Sequence, residues 1–252
     1  MTYFEAIILG IVQGLTEFLP ISSSGHLVLV QNFLEIDNPG NEIEVLVHIG
    51  TLASILTVFF SDIKYLVINI KKKNNQFFIL LLIIATIPSI IIGLGFKDLF
   101  ESFFDNLEVV KVAFILTGII LLSSKYFKLM NKSFTILSSM IIGFAQAFAI
   151  TPGISRSGIT ISCALLFGIH PKQAARFSFL MAIPVIFGAG LLTAIDLQGS
   201  FSISISVGFV ALLSSYIVGV LALNWLIKWL TQGKFYYFGF YCLALGCILL
   251  LD

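Results

Sequence analysis

The chain alternates between long apolar stretches and short polar ones. Six stretches of about bilayer length are almost wholly apolar, at residues 43–60, 78–96, 109–124, 174–195, 203–222 and 235–251. A helix needs about 20 apolar residues to cross the hydrocarbon core of a bilayer, with a range of about 17–25. The pattern therefore predicts six membrane-spanning helices. The weakest is 109–124, because it is short and contains Lys111.

Two further apolar regions, 4–34 and 134–168, are each interrupted midway by a cluster of Pro, Ser and Gly, at 20–25 and at 151–158. Irregular backbone at membrane depth is tolerated only where protein or a wet cavity covers it. Each half of these regions is also short for a crossing. The pattern favours two re-entrant helix–loop–helix hairpins, with four additional spanning helices as the alternative, in an all-α polytopic membrane protein.

Composition supports the membrane assignment. Of the 252 residues, 58% are hydrophobic and only 11% are charged, and the mean hydropathy is +1.06. A soluble domain usually has about 25% charged residues, so too few charges are present here to cover a soluble globule. The net charge of +1 also argues against a nucleic-acid partner. We expect one integral membrane domain that spans residues 1–252.

The charges of the loops predict an orientation. Basic loops stay in the cytoplasm, which places loops 61–77 and 125–133 inside and the acidic loop 97–108 outside. Counting onward puts both termini outside. The basic residues are Lys64, Lys71, Lys72, Lys73, Lys125, Lys128 and Lys132, and the acidic ones are Asp98, Glu101, Asp105 and Glu108, against Lys97 alone.

The two interrupted regions are related in sequence. Gly10, Gln13, Ser22, Ser24 and Gly25 match Gly143, Gln146, Ser155, Ser157 and Gly158, each pair 133 positions apart, while Pro20 and Pro152 fall one position out of step. The first region enters from outside and the second from inside, and three spans follow each. This arrangement predicts an inverted-topology repeat, about 1–128 and 129–252, with a site between the broken elements.

The scarce polar residues of the hairpins form a candidate site. Gln13 and Glu17 share a helix face, and His26 follows the serine-rich loop, while the second hairpin contains Arg156. Ionisable groups at membrane depth are costly, by about 2.5–3.5 kcal/mol each, and usually functional. The alternative is a structural ion pair between Glu17 and Arg156, which would leave the serines and His26 without a role.

These side chains suit a phosphate ligand. Arg156 offers a planar fork that matches phosphate oxygens, and the helix leaving each loop turns its positive N-terminal end to the cavity. Serine hydroxyls supply donors or a nucleophile, and Glu17 and His26 supply acid–base groups or metal ligands. The apolar surroundings indicate that the rest of the substrate is a lipid.

The two motifs resemble those of a known family. The segment from Gln13 to His26, read Gln-Gly-Leu-Thr-Glu-Phe-Leu-Pro-Ile-Ser-Ser-Ser-Gly-His, and the segment Pro-Gly-Ile-Ser-Arg-Ser-Gly-Ile-Thr at 152–160 closely resemble the two motifs of the bacterial undecaprenyl-pyrophosphate phosphatases, the bacitracin-resistance family. Length and span pattern agree, so the resemblance covers essentially the whole chain. It implies hydrolysis of undecaprenyl pyrophosphate to the monophosphate and phosphate, which recycles the lipid carrier of cell-wall synthesis.

The resemblance also implies roles for individual residues. The site would open to the outer face of the bacterial cytoplasmic (inner) membrane and use a divalent cation, Mg²⁺ or Ca²⁺. Arg156 would hold the pyrophosphate, Ser23 would be the nucleophile with His26 as its acid–base partner, and Glu17 with Gln13 would hold the metal. Many members have a glutamate where this chain has Gln13. The remaining implied substrate contacts are Ser22, Ser24, Ser155, Ser157 and Thr160, with Gln13.

Three questions stay open from sequence. A secondary transporter or lipid-phosphate flippase is the main alternative function, because inverted repeats with re-entrant hairpins are transporter architecture. A structural scaffold is a weaker third interpretation.

Glu44 and His48 share a helix face, which favours a supporting pair over a direct catalytic role. A homodimer is also compatible with the sequence.

Overall fold

The computed structural model describes residues 1–34, 36, 40–104, 106–127, 130–196 and 203–251. This part of the chain forms twelve α-helices and one 3₁₀ helix, and it contains no β-strand. Asp105 and Lys128, two of the charges used to predict the orientation, lie outside the described residues. The helices are α1 (Tyr3–Thr16), α2 (Ser23–Phe33), α3 (Gly40–Val58), α4 (Phe60–Ile68), α5 (Lys73–Gly95), α6 (Lys97–Phe104), α7 (Leu107–Ser123), α8 (Ile136–Phe148), α9 (Arg156–Leu166), α10 (Pro171–Asp196), α11 (Ile205–Thr231) and α12 (Tyr237–Leu251).

Four helices among the described residues are long and apolar enough to cross a membrane: α5, α7 with the 3₁₀ turn that follows it, α10 and α11. The pair α3 and α4 adds a fifth candidate, although its two helices are bent by 66° at Phe59. Large apolar side chains remain exposed along these helices, such as Ile91 at 64% and Leu221 at 66%. Soluble proteins rarely expose such continuous apolar surface, and the protein is a multi-pass membrane protein.

The helices depart from the predicted spans at four places. The predicted span 43–60 ends at Val58, and the predicted loop beyond it contains α4. The acidic loop 97–108 contains α6, whose apolar and polar side chains lie on opposite faces. The helix predicted over 203–222 continues to Thr231, whereas α12 has only 15 residues, which is short for a crossing.

Both interrupted regions consist of two short helices separated by an irregular loop, as the sequence predicts. Helices α1 and α2 flank the first loop, and α8 and α9 flank the second. Each pair packs together, and each also packs on a long helix from the other half of the chain: α1 on α11, and α8 on α5. The two halves are therefore interleaved, and this packing brings the two loops together.

Small residues allow the close helix crossings. A Cβ on Gly143 of α8 would lie 2.5 Å from the Ala85 carbonyl oxygen and 2.9 Å from the Ala85 Cα on α5. Gly10, its match in the repeat, lies equally close to α11, where a Cβ would meet the Ser214 hydroxyl and lie 2.6 Å from the Ala211 carbonyl oxygen. Because backbone atoms are among the obstacles at both positions, a side chain at either glycine would push the helices apart.

Gly143→Ala is expected to destabilise the protein by about 1–3 kcal/mol, since overpacking at a tight contact costs this much. The melting temperature of the detergent-purified protein should fall by about 2–12 °C, measured by the loss of the monodisperse peak after heating. Gly188→Ala on α10 is the matched control, because no atom lies within 4 Å of its added Cβ. Equal melting temperatures for the two variants would contradict the tight crossing.

Candidate active site

The irregular loops end in two helix N-termini that share one cavity. Ser22 is the N-cap of α2 and accepts a hydrogen bond from the Gly25 N–H at 3.4 Å; Ser155 is the N-cap of α9 and accepts from the Gly158 N–H at 3.1 Å. Serine is a preferred N-cap because its hydroxyl accepts an N–H that the helix leaves unpaired. The repeated Ser-x-x-Gly spacing therefore starts both helices in the same way.

Side chains of each loop bind the backbone of the other. Ser22 Oγ accepts from the Gly153 N–H at 3.1 Å, and Ser157 Oγ donates to the Phe18 carbonyl at 3.2 Å. Gly153 has a φ of +93°, and a Cβ there would lie 2.6 Å from the Val110 carbonyl oxygen. Only glycine fits this position, and the cross-loop hydrogen bonds join the two loops into one unit.

Thr117 of α7 supports this unit from outside. Its hydroxyl donates to the Gly153 carbonyl at 2.9 Å and accepts from the Ser155 N–H at 3.1 Å. The sequence analysis missed this residue, although a threonine in the middle of an apolar helix is a recognisable signal. Thr117 fixes the position of the second loop, and with it the start of α9.

Glu17 is the centre of the candidate site. Arg156 Nη2 donates to Glu17 Oε1, while Ser23 Oγ donates to Oε2 at 2.6 Å and Gln13 Nε2 donates to the same oxygen at 3.1 Å. The side chain of Glu17 is 7% exposed and that of Arg156 is 15% exposed. The structure thus brings together four of the predicted site residues, from both hairpins, around one buried carboxylate.

A small cavity of about 50 Å³ adjoins this cluster. Arg156 Nη1 is buried and has no hydrogen-bond partner within the described residues. The N–H groups of a first helical turn point out of the helix, and here two such turns, at Ser23 and at Arg156, line one cavity. Its lining residues are Thr16, Glu17, Ser22, Ser23, Ser24, Ala149, Ile154, Ser155 and Arg156.

The arrangement attracts a compact anion. Two helix N-termini contribute about half a positive charge each, and the second amino group of Arg156 is unused. The Glu17 carboxylate offsets the charge of Arg156, so about one net positive charge remains, from the two helix N-termini. A phosphate group, alone or with an associated cation, is attracted to such a site.

A divalent cation fits the ligands here only with help from a substrate. No group of three or more His, Cys, Asp or Glu able to hold a metal occurs in the part of the chain that the structure describes. Mg²⁺ is often held by one or two carboxylates plus substrate phosphates, and Glu17 offers one carboxylate. The buried Gln13 Oε1 has no hydrogen-bond partner among the described residues, so it can supply a second oxygen.

Ser157 and Thr160 lie deeper than the cavity. Thr160 Oγ1 donates to the Arg156 carbonyl at 2.7 Å and lies 2.7 Å from Ser178 Oγ. The Ser157 hydroxyl donates to the Phe18 carbonyl. Both side chains are buried and connect protein elements. A direct contact of either residue with substrate stays a prediction, as it does for Ser22, Ser24 and Ser155, which do line the cavity.

His26 contacts side chains of α7 and α12 and not Glu17. The His26 ring packs edge-on against Phe114 at 5.2 Å and lies nearly parallel to the Tyr241 ring. Its nitrogens bond to Ser22 and Tyr241. The structure does not bring His26 into the cluster around Glu17, and its role as acid–base partner of Ser23 stays a prediction.

His48 is closer to Glu17 than its sequence position indicated. Its Nε2 lies 4.0 Å from Glu17 Oε2, while its Nδ1 donates to the Glu44 backbone carbonyl at 2.7 Å. The partner of His48 on its own helix is therefore a carbonyl group and not the Glu44 side chain. His48 also lines a polar pocket of about 580 Å³ with Glu44, Gln31 and Glu101.

A larger apolar groove of about 740 Å³ lies between α1, α2, α11 and α12. It shares Thr16 with the small cavity, so the polar and apolar spaces adjoin. Lys234 is the one charged residue other than a histidine in its lining. The other lining residues are Ile11, Val12, Leu15, Leu19, Ile21, His26, Val30, Trp225, Trp229, Tyr237, Phe238 and Tyr241.

Comparison with known proteins gives one consistent result. Residues 6–248 match the family described as bacitracin resistance protein BacA. A relative from Syntrophotalea carbinolica, named undecaprenyl-diphosphatase, is 40% identical over 98% of this chain and 97% of its own. Relatives of the same name from Carboxydothermus hydrogenoformans and Halothermothrix orenii are 40% and 39% identical, over 99% and 100% of this chain and 97% and 98% of their own.

Proposed function

The chain belongs to the bacitracin resistance protein BacA family, and on this premise we propose that it hydrolyses undecaprenyl diphosphate to undecaprenyl phosphate and inorganic phosphate. It is a membrane-embedded hydrolase that acts on a phosphoric anhydride. The observation that carries the proposal is the Ser23 hydroxyl, which donates to the buried Glu17 carboxylate at 2.6 Å while Arg156 holds the other carboxylate oxygen. A nucleophile, its base and an anion-binding group thus meet in one place.

Arg156 binds the terminal phosphate in this mechanism. Its Nη2 stays on Glu17 while its buried Nη1, which has no partner among the described residues, donates to a phosphate oxygen. The first turns of α2 and α9 donate further N–H groups. Because these donors are fixed before the substrate arrives, they stabilise the charge of the transition state without rearrangement.

Ser23 attacks the terminal phosphorus. The bond from this phosphorus to the bridging oxygen breaks, and undecaprenyl phosphate leaves with the electron pair. The hydroxyl proton passes to Glu17 Oε2, its present hydrogen-bond acceptor. Water then attacks the phosphoserine and the P–O bond to Ser23 breaks. Glu17 returns its proton to the Ser23 oxygen, and phosphate leaves while the remaining water proton passes to solvent. Direct attack by a water molecule is the alternative, with Glu17 again as the base.

Glu17 and Gln13 would hold a divalent cation, Mg²⁺ or Ca²⁺, together with the substrate phosphates. The cation, when bound, neutralises phosphate charge. With Gln13 in place of a second carboxylate, this site has one fewer negative charge than one built from two glutamates. Its affinity for the free cation should be low, and the substrate would bring most of the ligands.

The prenyl chain occupies the 740 Å³ apolar groove in this proposal. The groove adjoins the polar cavity at Thr16, and its walls are almost entirely apolar or aromatic. A lipid whose head lies at Glu17 and Arg156 would pass Thr16, the residue that lines both spaces, to reach the groove. The substrate partner is thus a polyprenyl pyrophosphate bound from the membrane, and a homodimer stays a prediction.

The finer architecture belongs to the same proposal: a single domain over 1–252 with six spans and an inverted repeat of about 1–128 and 129–252. Adding 133 to the bounds of α2 (Ser23–Phe33) gives those of α9 (Arg156–Leu166), which supports the repeat. The crossings of α1 on α11 and of α8 on α5 correspond in the same way.

The site would face the outer side of the bacterial cytoplasmic membrane. The polar pocket that contains His48 includes Glu101 and Phe104 of α6, within the acidic segment that charge counting places outside. His48 connects that pocket with Glu17. This continuity supports access for water and exit for phosphate from the outer side.

Purified protein in detergent is expected to release phosphate from undecaprenyl diphosphate. A chelator should reduce the rate by about a hundredfold or more, and added Mg²⁺ or Ca²⁺ should restore it. A rate that the chelator does not change would contradict the metal site but not the hydrolase. Absence of phosphate release, together with translocation of the lipid in liposomes, would favour a flippase and refute the hydrolase.

A further inference from the structure

Both ring nitrogens of His26 are occupied. Nδ1 lies 2.7 Å from the Ser22 carbonyl oxygen, and Nε2 lies 2.7 Å from the Tyr241 hydroxyl oxygen. A carbonyl oxygen only accepts, so Nδ1 carries the proton and donates. In the neutral ring, Nε2 is then the acceptor and the Tyr241 hydroxyl donates to it. The Ser22 carbonyl thereby fixes which nitrogen of His26 bears hydrogen, and the Tyr241 hydroxyl holds the other nitrogen in place.

The acceptor of the His26 proton lies in strained backbone. Ser22 has a φ of +69°, one of two positive values at non-glycine residues in the described part of the chain. Such a conformation costs about 1–3 kcal/mol and persists only where its surroundings hold it. Here the Ser22 hydroxyl is held by the Gly25 and Gly153 N–H groups, and its carbonyl by His26.

The Ser22 carbonyl belongs to the same planar peptide unit as the nitrogen of Ser23. Its orientation therefore determines where Ser23 begins and how its side chain reaches Glu17. If the peptide rotated, the 2.6 Å contact between Ser23 Oγ and Glu17 Oε2 would be lost. The Ser22 carbonyl accepts two hydrogen bonds from His26, one from the ring Nδ1 at 2.7 Å and one from the backbone N–H at 3.3 Å, and both oppose this rotation.

We propose that Tyr241 is a positioning residue for Ser23. It acts through His26, which it orients by a hydrogen bond from its hydroxyl, and through the Ser22 carbonyl that His26 holds. Phe114 packs edge-on against the imidazole. The hydrogen bond to Tyr241 is the second contact that limits rotation of the ring. The proposal rests on the proposed function only in taking Ser23 as a residue that works in turnover.

This arrangement differs from an acid–base role for His26. A ring that exchanged protons with Ser23 would first have to leave the Ser22 carbonyl and the Tyr241 hydroxyl. Both contacts are short, and the groove behind the ring is apolar. His26 in this arrangement holds backbone, and Tyr241 lies one step further from the chemistry.

Tyr241→Phe is expected to lower kcat for undecaprenyl diphosphate about tenfold while KM stays within about twofold, because one hydrogen bond is lost and the groove keeps its ring. Tyr216→Phe is the matched control, since its hydroxyl lies 3.3 Å from Thr57 Oγ1, away from the site, and should leave both constants unchanged. An unchanged kcat in Tyr241→Phe, or equal effects of the two variants, would overturn the proposal.

A second measurement does not depend on turnover. The chain has three histidines, so ¹⁵N-histidine NMR can be assigned with His48→Gln and His170→Gln. In the wild type the His26 proton is expected on Nδ1, with Nε2 shifted by an accepted hydrogen bond. In Tyr241→Phe the chemical shift of Nε2 should move to the value of an imidazole nitrogen that accepts no hydrogen bond. A wild-type proton on Nε2 would refute the proposal even if the enzyme were inactive on this lipid.

His26 variants separate positioning from acid–base chemistry. The Asn side chain can place an N–H near the position of Nδ1 and keep the donor to Ser22, whereas Ala cannot. The kcat of His26→Asn is expected to be at least about ten times that of His26→Ala. Equal loss in both variants would show that the imidazole itself is required, and would overturn the positioning role.

Discussion

Arg156→Ala is expected to reduce kcat/KM about a thousandfold or more. The substitution removes the charged donor for the terminal phosphate, in a buried site where such contacts are strongest. It also leaves the Glu17 carboxylate without its partner, which costs about 3–5 kcal/mol of stability for a buried pair. Activity should therefore be measured on protein whose melting temperature has been determined, at a temperature well below it.

Arg156→Lys separates the two effects. Lysine keeps the positive charge beside Glu17 but cannot present two parallel donors to a phosphate. It should recover more of the stability than of the activity. Arg176→Ala is a matched control, because Arg176 Nε lies 2.7 Å from Asp62 Oδ1 in an ion pair away from the site. The assignment of Arg156 is wrong if Arg156→Ala keeps more than about a tenth of the wild-type kcat/KM.

Glu17→Gln is expected to lower kcat by about 10²–10⁴-fold, since it removes a general base but keeps the size of the side chain. The amide oxygen can still accept from Arg156 or Ser23, so the protein should fold. Glu108→Gln is the control for the loss of one carboxylate, because Glu108 lies in an exposed pair with Lys111 at 3.0 Å. The measurement is phosphate release under saturating substrate.

The double variant Glu17→Gln with Ser23→Ala tests whether the two residues act as one unit. If Glu17 is the base for Ser23, the double variant should be no slower than the slower single variant. Additive losses would mean that the two side chains work independently. Substantial activity in Ser23→Ala alone would favour direct attack by water.

The position of the site was predictable from sequence because charges are so scarce. Glu17 and Arg156 are 139 residues apart, yet both lie in broken apolar regions where a charge requires compensation. The N-cap pattern at Ser22 and Ser155 likewise follows from local chemistry. Local rules and the sequence repeat sufficed to predict that these side chains lie together, while their roles in turnover stay predictions.

Side-chain partners were less predictable because they depend on tertiary packing. His26 is two residues after Ser24, the last serine of the loop. Its ring faces Tyr241 on α12, and no local pattern indicates that neighbour. His48 appeared paired with Glu44, whereas its free nitrogen approaches Glu17. The bend at Phe59 was not predictable either, because the residue at the bend is neither Pro nor Gly.

The interleaving of the halves has a consequence for biosynthesis. The Glu17 region leaves the ribosome 139 residues before Arg156, which corresponds to roughly 7–30 s at about 5–20 residues per second. During this interval the first hairpin has neither Arg156 nor α11 to pack against. The nascent chain must keep its carboxylate hydrated or shielded by the insertion machinery until the second half arrives. Assembly of the active centre is therefore a late event of membrane insertion, and neither half expressed alone should acquire it.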